Sequence, residues 1–111
     1  MENLLTLALE AHNGERNHHR RYEIRVGRDL FAIWTLTIRY GRAGNTLREE
    51  RFSSAHKSEL QAISSDRLRR RSNAKRRIGA RYEVVELNCN EDSEVVDWFP
   101  ESDLVPFLPA K

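Results

Sequence analysis

Hydrophobic and polar residues alternate along several short stretches of the chain, a pattern typical of strands with one face on a core. The clearest stretch, residues 33–40, is rich in β-branched and aromatic side chains. It places Trp34, Leu36, Ile38 and Tyr40 on one face. Weaker patterns of the same kind predict further strands at residues 5–10, 22–26, 46–52 and 82–87.

Polar and glycine-rich segments separate these strands and predict turns. Asn13-Gly14 lies in the polar stretch 11–19, and residues 27–29 follow the second strand. Residues 41–45 contain two glycines between two strand patterns. Because a glycine-rich break between two alternating runs is typical of a hairpin, the chain is predicted to fold back on itself at this break.

One long helix is predicted after the hairpin. The two serines at 53–54 predict an N-cap, and Leu60 and Ile63 recur at helical spacing, with no glycine or proline before Gly79. Gly79 is suited to end the helix, although the polar triplet 64–66 could also end one helix and begin another. This order of elements predicts an α+β fold, in which one main helix packs on one face of a small antiparallel sheet.

The length of 111 residues fits one domain. We place the folded domain at residues 1–87 and interpret residues 88–111 as an acidic, aromatic C-terminal extension. Trp98, Phe99 and Phe107 lie there among carboxylates. These aromatics either pack on the sheet as a final strand or turn or dock onto a partner protein, and packing is compatible with a segment that also covers a basic face of the domain.

Charge is divided along the chain, although the net charge is only +2. Residues 1–15 carry −3, residues 16–81 carry 18 Lys and Arg against 6 Asp and Glu, a net of +12, and residues 82–111 carry −7. The positive middle segment is typical of a surface that meets a polyanion. The alternative is a solvated face that binds nothing.

The sequence lacks the motifs of catalysis and of metal binding. It has no nucleophile elbow, phosphate-binding loop or dinucleotide fingerprint, and its four histidines and single cysteine, Cys89, lack zinc-ligand spacing. We therefore predict a binding module that is not an enzyme and holds no metal or cofactor. The lone thiol, and the lack of a signal-peptide or membrane-span pattern, predict a cytoplasmic protein without a membrane partner.

The hairpin carries a family resemblance. The run from Trp34 to Gly44 resembles the signature of the WGR domain, in which Trp-Gly-Arg follows a strand and precedes another glycine. The strand at 22–26 and the basic run 75–82 also resemble the family's pattern, so that the resemblance covers residues 20–87. Tyr40 departs from it, since the family has Trp at this position.

The resemblance implies a stand-alone bacterial WGR-domain protein, related to the module with which DNA-dependent poly(ADP-ribose) polymerases hold a DNA end. Tyr40 and Arg42 then take the places of the family's DNA-contacting Trp and Arg. We predict a module that binds the backbone or ends of nucleic acid, DNA rather than RNA, without sequence specificity. The alternative is a protein-interaction adaptor or regulatory module that uses the basic face and the acidic extension.

The predicted contact residues form two clusters, one at the hairpin and one at the helix exit. The hairpin supplies an aromatic ring and guanidinium groups, and the helix exit adds positive charge for phosphate. The candidates are Arg39, Tyr40, Gly41, Arg42, Arg48, Arg70, Lys75, Arg76, Arg77 and Arg81. For Arg42 two interpretations remain open: contact with a phosphate, or a hydrogen bond to the domain's own carbonyl groups.

Overall fold

The computed structural model describes residues 2–74, 79–89, 95 and 97–108 of the chain. The elements in chain order are β1 (Glu2–Asn13), β2 (His18–Arg28), β3 (Trp34–Arg42), β4 (Arg48–Ser54), α1 (Lys57–Arg71), β5 (Glu83–Cys89), α2 (Glu101–Leu104) and a 3₁₀ turn (Val105–Phe107). The predicted α+β class, with a main helix packed on an antiparallel sheet, is confirmed.

The five strands form one antiparallel sheet in the order β4-β3-β2-β1-β5. Strands β1 to β4 follow one another as neighbours, and the chain returns after α1 to place β5 beside β1. The turn predicted within the stretch 11–19 is present at residues 14–17, and the rest of the stretch is strand, since β1 and β2 pair as far as Asn13 and His18. Backbone pairing tolerates polar side chains there because they lie near the end of the sheet and reach solvent.

One face of the sheet packs against α1 and carries most of the core. Leu7, Ile24 and Ile38 lie side by side on β1, β2 and β3 and are fully buried. The helix contributes Leu60 and Leu68 to the same cluster. Burial of each such side chain stabilises the fold by about 1.5–3 kcal/mol, so that this interface dominates folding.

The opposite face carries paired charges around Glu23. Its carboxylate is nearly buried and contacts Arg21 at 2.6 Å, Arg25 at 3.2 Å and Arg39 at 3.3 Å. Burial by itself would raise the pKa of Glu23, but the hydrogen bond from Arg21 and the charges of the three arginines outweigh it and hold the pKa below its usual range. The carboxylate is therefore ionised and neutralises part of the positive charge on this face.

The helix begins later than predicted. Residues 53–54 are the end of β4, where Ser54 pairs with Trp34, so the predicted N-cap at these serines is wrong. His56 occupies the N-cap position without a side-chain cap. The Ser54 hydroxyl instead accepts a hydrogen bond from the His56 N–H at 2.9 Å and donates one to Glu59 at 2.8 Å. Because Ser54 is paired in β4, it does not occupy the N-cap position of α1.

The course of α1 also differs from prediction. The helix continues through residues 64–66, where Ser64 faces the core. It ends at Arg71 rather than near Gly79, and the Ser72 hydroxyl donates to the Arg69 carbonyl at 2.6 Å. A serine that satisfies a backbone carbonyl in this way favours termination of the helix.

The aromatic residues near the C-terminus complete the core. Trp98, Phe99 and Phe107 are fully buried, and the Trp98 ring packs against Trp34 with centroids 5.7 Å apart. Of the two interpretations of this segment, packing is the one observed, in short helical turns rather than a final strand. No helix in the described part of the chain has the length and apolarity to cross a membrane.

Candidate nucleic-acid interface

Cross-strand register gathers basic and aromatic side chains at one end of the sheet. Tyr40 of β3 lies between Tyr22 of β2 and Arg48 of β4, and Arg42 lies opposite Arg20. Directly opposed residues of neighbouring strands point to the same face. These five side chains therefore share the face on which α1 packs, at the end where β3 turns into β4.

An open cleft of about 410 Å³ lies among these residues. Its lining consists of Arg20, Tyr40, Gly41, Arg42, Asn45, Thr46 and Arg48. Gly41 has a φ of +151° and Gly44 a φ of +86°, conformations that side chains disfavour. A Cβ on Gly41 would also lie 3.4 Å from the Leu47 side chain. The glycines thus give the hairpin the backbone path that leaves the cleft open.

The cleft is cationic, and the part of its lining that the structure describes contains no carboxylate. Arg42 directs both terminal nitrogens to Asn17, with Nη1 3.0 Å from the carbonyl oxygen and Nη2 3.0 Å from Oδ1. Among the described residues, Arg20 and Arg48 have no carboxylate within ion-pair distance. Two guanidinium groups beside Tyr40 therefore remain available to an anion, and the third already has a partner within the domain.

Comparison of the sequence with known protein families shows a match. The WGR domain matches residues 5–79, from β1 to the segment after α1. The chain belongs to the WGR domain family. WGR domains bind nucleic acid in poly(ADP-ribose) polymerase-like proteins. The match begins before the predicted range of 20–87 and so includes β1, and no curated protein matches the chain.

The WGR domain holds Tyr40 in a network that reaches α1. Tyr40 packs near the Tyr22 ring, with centroids 6.4 Å apart, and its hydroxyl lies near the Glu50 carboxylate. Arg67 of α1 donates to both oxygens of Glu50, at 3.1 and 3.2 Å. The hydrogen bond from Arg67 lowers the pKa of Glu50, and the nearby Tyr40 hydroxyl lowers it further. The Glu50 carboxylate thus connects the surroundings of the Tyr40 ring to α1.

Arg39, predicted beside Tyr40 and Arg42 in one grip, lies on the other face of the sheet. Its guanidinium contacts Glu23 at 3.3 Å and Glu49 at 3.8 Å. Successive residues of a strand point to opposite faces, and Arg39 is one residue before Tyr40 and three before Arg42. It therefore cannot share the cleft with either of them. The WGR hairpin therefore brings together Tyr40, Gly41, Arg42 and Arg48 of the predicted residues, without Arg39.

The helix-exit cluster is distributed over several places. Arg70 pairs with Asp66 at 3.0 Å, one turn earlier on α1. Arg81, just before β5, contacts Glu83 at 3.3 Å and donates to the Leu108 carbonyl at 2.7 Å. The remaining three predicted bases, Lys75, Arg76 and Arg77, lie outside the described residues.

Two further arginines of this region lie outside the list of predicted contact residues, although Arg71 belongs to the basic run of the predicted helix. Arg20 lines the cleft because it lies opposite Arg42, and Arg71 of α1 stacks over the Tyr22 ring, 4.4 Å from its centroid. The strand register places Arg20 at the cleft, and the packing of α1 on the sheet places Arg71 over the Tyr22 ring. In an antiparallel hairpin the register follows from the position of the turn. Counting outward from the pair Arg28 and Trp34 would have placed Arg20 opposite Arg42, but the sequence did not show where β2 ends.

A pair of histidines lies on the other face at the same end of the WGR domain. His12 Nδ1 and His19 Nδ1 are 2.8 Å apart, and His12 Nε2 contacts Glu10 at 2.8 Å. Over the described ranges, no three His, Cys, Asp or Glu side chains converge as metal ligands. The described residues therefore offer an anion a better site, in the cleft, than they offer a metal ion.

Proposed function

We propose that this WGR domain is a non-catalytic module that binds the sugar-phosphate backbone or the ends of duplex DNA, without reading base sequence. The observation that carries the proposal is the cleft, where Arg20 and Arg48 flank Tyr40 with no carboxylate partner among the described residues. Both guanidinium groups are exposed to solvent, so that a phosphate can reach them, and their planar forks match its oxygens in charge and geometry.

Family membership supports the same function. WGR domains in poly(ADP-ribose) polymerase-like proteins bind nucleic acid, and the cleft lies at the motif that gives the family its name. The flat ring of Tyr40 offers a stacking surface to a sugar or base, as an aromatic platform does in single-strand binding proteins. Contacts of this kind position a protein on nucleic acid and do not specify sequence.

The adaptor alternative loses one of its supports. The aromatic residues of the C-terminal segment, Trp98, Phe99 and Phe107, are buried in the core and are not free to dock onto a partner. The basic cleft remains, and its chemistry suits phosphate.

The test is a salt titration with a labelled duplex that carries a 5′-phosphate. We expect binding at low salt that weakens steeply as salt rises. The double variant Arg20→Ala/Arg48→Ala should lose about tenfold in affinity per arginine and reduce the slope of log K against log salt by about 2.

The matched control changes the same net charge elsewhere. In Arg51→Ala/Arg69→Ala two exposed arginines are removed that pair with acids of their own, Glu49 and Asp66. This variant should retain affinity within about threefold, since the lost charges lie outside the cleft. If the two double variants lost the same affinity for the duplex, net charge alone would explain the loss and the cleft would have no special role. If the unmodified protein did not bind the duplex at low salt, the proposed function would be refuted.

A further inference from the structure

The β1–β2 turn at residues 14–17 has a defined conformation. The Asn17 N–H donates to the Gly14 carbonyl at 3.3 Å, and Asn17 has a φ of +54°. Asparagine tolerates this left-handed conformation better than other residues with side chains. The position therefore favours a residue that can both close the turn and offer two oxygens to a donor.

Arg42 binds this turn to the tip of the β3–β4 hairpin. Its two terminal nitrogens reach the carbonyl oxygen and Oδ1 of Asn17, each at 3.0 Å. The next residue, Ala43, donates its N–H to the His19 carbonyl at 2.9 Å. A guanidinium engaged at both terminal nitrogens has a fixed orientation, and it holds the turn at a fixed position beside the end of β3.

The other side of the turn contacts the segment that leads from α1 to β5. Asn13 Nδ2 donates to the Gly79 carbonyl at 3.2 Å, and Asn13 Oδ1 accepts the Arg16 N–H at 3.4 Å. A Cβ on Gly79 would lie 2.6 Å from Asn13 Nδ2 and 3.2 Å from the Arg16 guanidinium. The turn is thus packed between the hairpin and the end of the basic segment after the helix.

Arg16 gives this turn a positive charge that is exposed to solvent. Among the described residues no carboxylate lies within ion-pair distance of it. The turn also lies next to the cleft, because its last residue, Asn17, is the partner of Arg42. Arg16 therefore lies one residue from the partner of Arg42, with its guanidinium on the Gly79 side of the turn.

The geometry points to the β1–β2 turn as a second contact for the nucleic-acid backbone, through Arg16, with Arg42 as the positioning residue that holds the turn beside the cleft. This inference rests on the proposed function, and it gives the WGR arginine a structural task in place of a direct phosphate contact. If it is correct, the fork geometry of Arg42 matters more than its charge.

Two measurements test the positioning role. Arg42→Lys keeps the charge but loses the fork, and because the turn then no longer holds Arg16 at the backbone, it should weaken binding of the 5′-phosphorylated duplex about tenfold and lower the salt slope by up to about 0.9. Asn17→Gly tolerates the positive φ but loses Oδ1; it should weaken binding about threefold and add nothing to Arg42→Lys. In the free protein, hydrogen exchange at residues 14–17 should become faster in Arg42→Lys. Arg51→Lys is the charge-preserving control and should change neither measurement.

The contact role is tested separately by Arg16→Ala, which should lower the salt slope by about 0.9 without faster exchange in the turn. Wild-type affinity in Arg42→Lys, or an unchanged slope in Arg16→Ala, would overturn the inference while the proposed function stands. If the unmodified protein does not bind the duplex, both the proposed function and the contact role fail, whereas faster exchange in Arg42→Lys would still show that Arg42 holds the turn.

Discussion

Replacement of Glu23 by glutamine tests how far the charged face of the sheet stabilises this WGR domain. The substitution removes the negative charge and preserves the volume, but it replaces one acceptor oxygen by an amide nitrogen that cannot accept from the guanidinium groups around it. The Glu23 side chain is 6% exposed and touches three guanidinium groups. Glu49 offers a matched comparison on the same face, because it is 46% exposed and touches two.

The expected magnitude follows from this difference in exposure. A hydrogen bond to a charged group contributes about 1.5–3 kcal/mol where water is excluded. The arginines around Glu23 are themselves partly exposed and can turn to solvent after the substitution, so we expect a total loss of about 2–3 kcal/mol rather than the sum over three contacts. Glu49→Gln should cost less than about 1 kcal/mol, the usual range for an exposed ion pair.

Urea unfolding followed by tryptophan fluorescence measures both variants. The pKa of folded Glu23 lies below its ordinary value of 4.5, so that the stabilisation by its carboxylate is fully present above that pH and is lost as the pH falls through the lower, folded-state pKa. The deficit of Glu23→Gln should therefore be constant from pH 7 to about 5 and shrink in acid. A deficit no larger than that of Glu49→Gln, or one that grows in acid, would contradict this reasoning.

Three further outcomes follow from single contacts. Trp98→Ala should lower the free energy of unfolding by about 3–5 kcal/mol in urea titrations, because the ring is fully buried against Trp34 although it lies beyond the family match. Gly41→Ala should cost about 1–2 kcal/mol and also weaken duplex binding, owing to its positive φ and the nearby Leu47 side chain. Asp29→Ala should lower the melting temperature, with a loss of about 1–2 kcal/mol, because its carboxylate accepts two backbone N–H groups in the β2–β3 turn, whereas Phe31→Ser at the exposed tip should change stability by less than about 0.5 kcal/mol.

The strands were predictable because local pattern and tertiary context agree. Alternation along residues 33–40 requires one buried face, and the observed core uses that face through Leu36 and Ile38. The helix start was not predictable in this way. Ser54 suits both the end of a strand and an N-cap, and its pairing with Trp34, twenty residues earlier, decides between them.

The sequence predicted where the candidate site lies, but it predicted less well which residues line it. The motif at Tyr40 and Arg42 marks the hairpin, and strand alternation separates Arg39 from both. The partner that occupies Arg39, Glu23, lies on a neighbouring strand and is found only from the register. Arg20 entered the cleft for the same reason, since a long-range pairing rather than a local pattern places it there.

The sequence also raised the question of whether the acidic C-terminal segment covers the basic surface. Asp97 pairs with Lys57 at the start of α1, and Lys57 lies 5.1 Å from the Trp34 ring. Trp34 begins β3 and Arg42 ends it, eight residues later, which is roughly 26 Å along a strand at 3.3 Å per residue. Asp97 therefore lies near the end of the sheet opposite the cleft.

Neutralisation of this carboxylate separates charge cover from structural packing. Truncation of the segment would remove Trp98 and its neighbours from the core and unfold the domain, whereas Asp97→Asn leaves them in place. The distance from Asp97 to the cleft exceeds the Debye length of about 10 Å at 0.1 M salt, so duplex affinity should change by less than about twofold. Arg48→Ala in the same assay provides the comparison, with a loss of about tenfold. If Asp97→Asn tightened binding more than about fivefold, the carboxylate would be acting on the cleft after all, and the separation of the two ends of the sheet would not hold in solution.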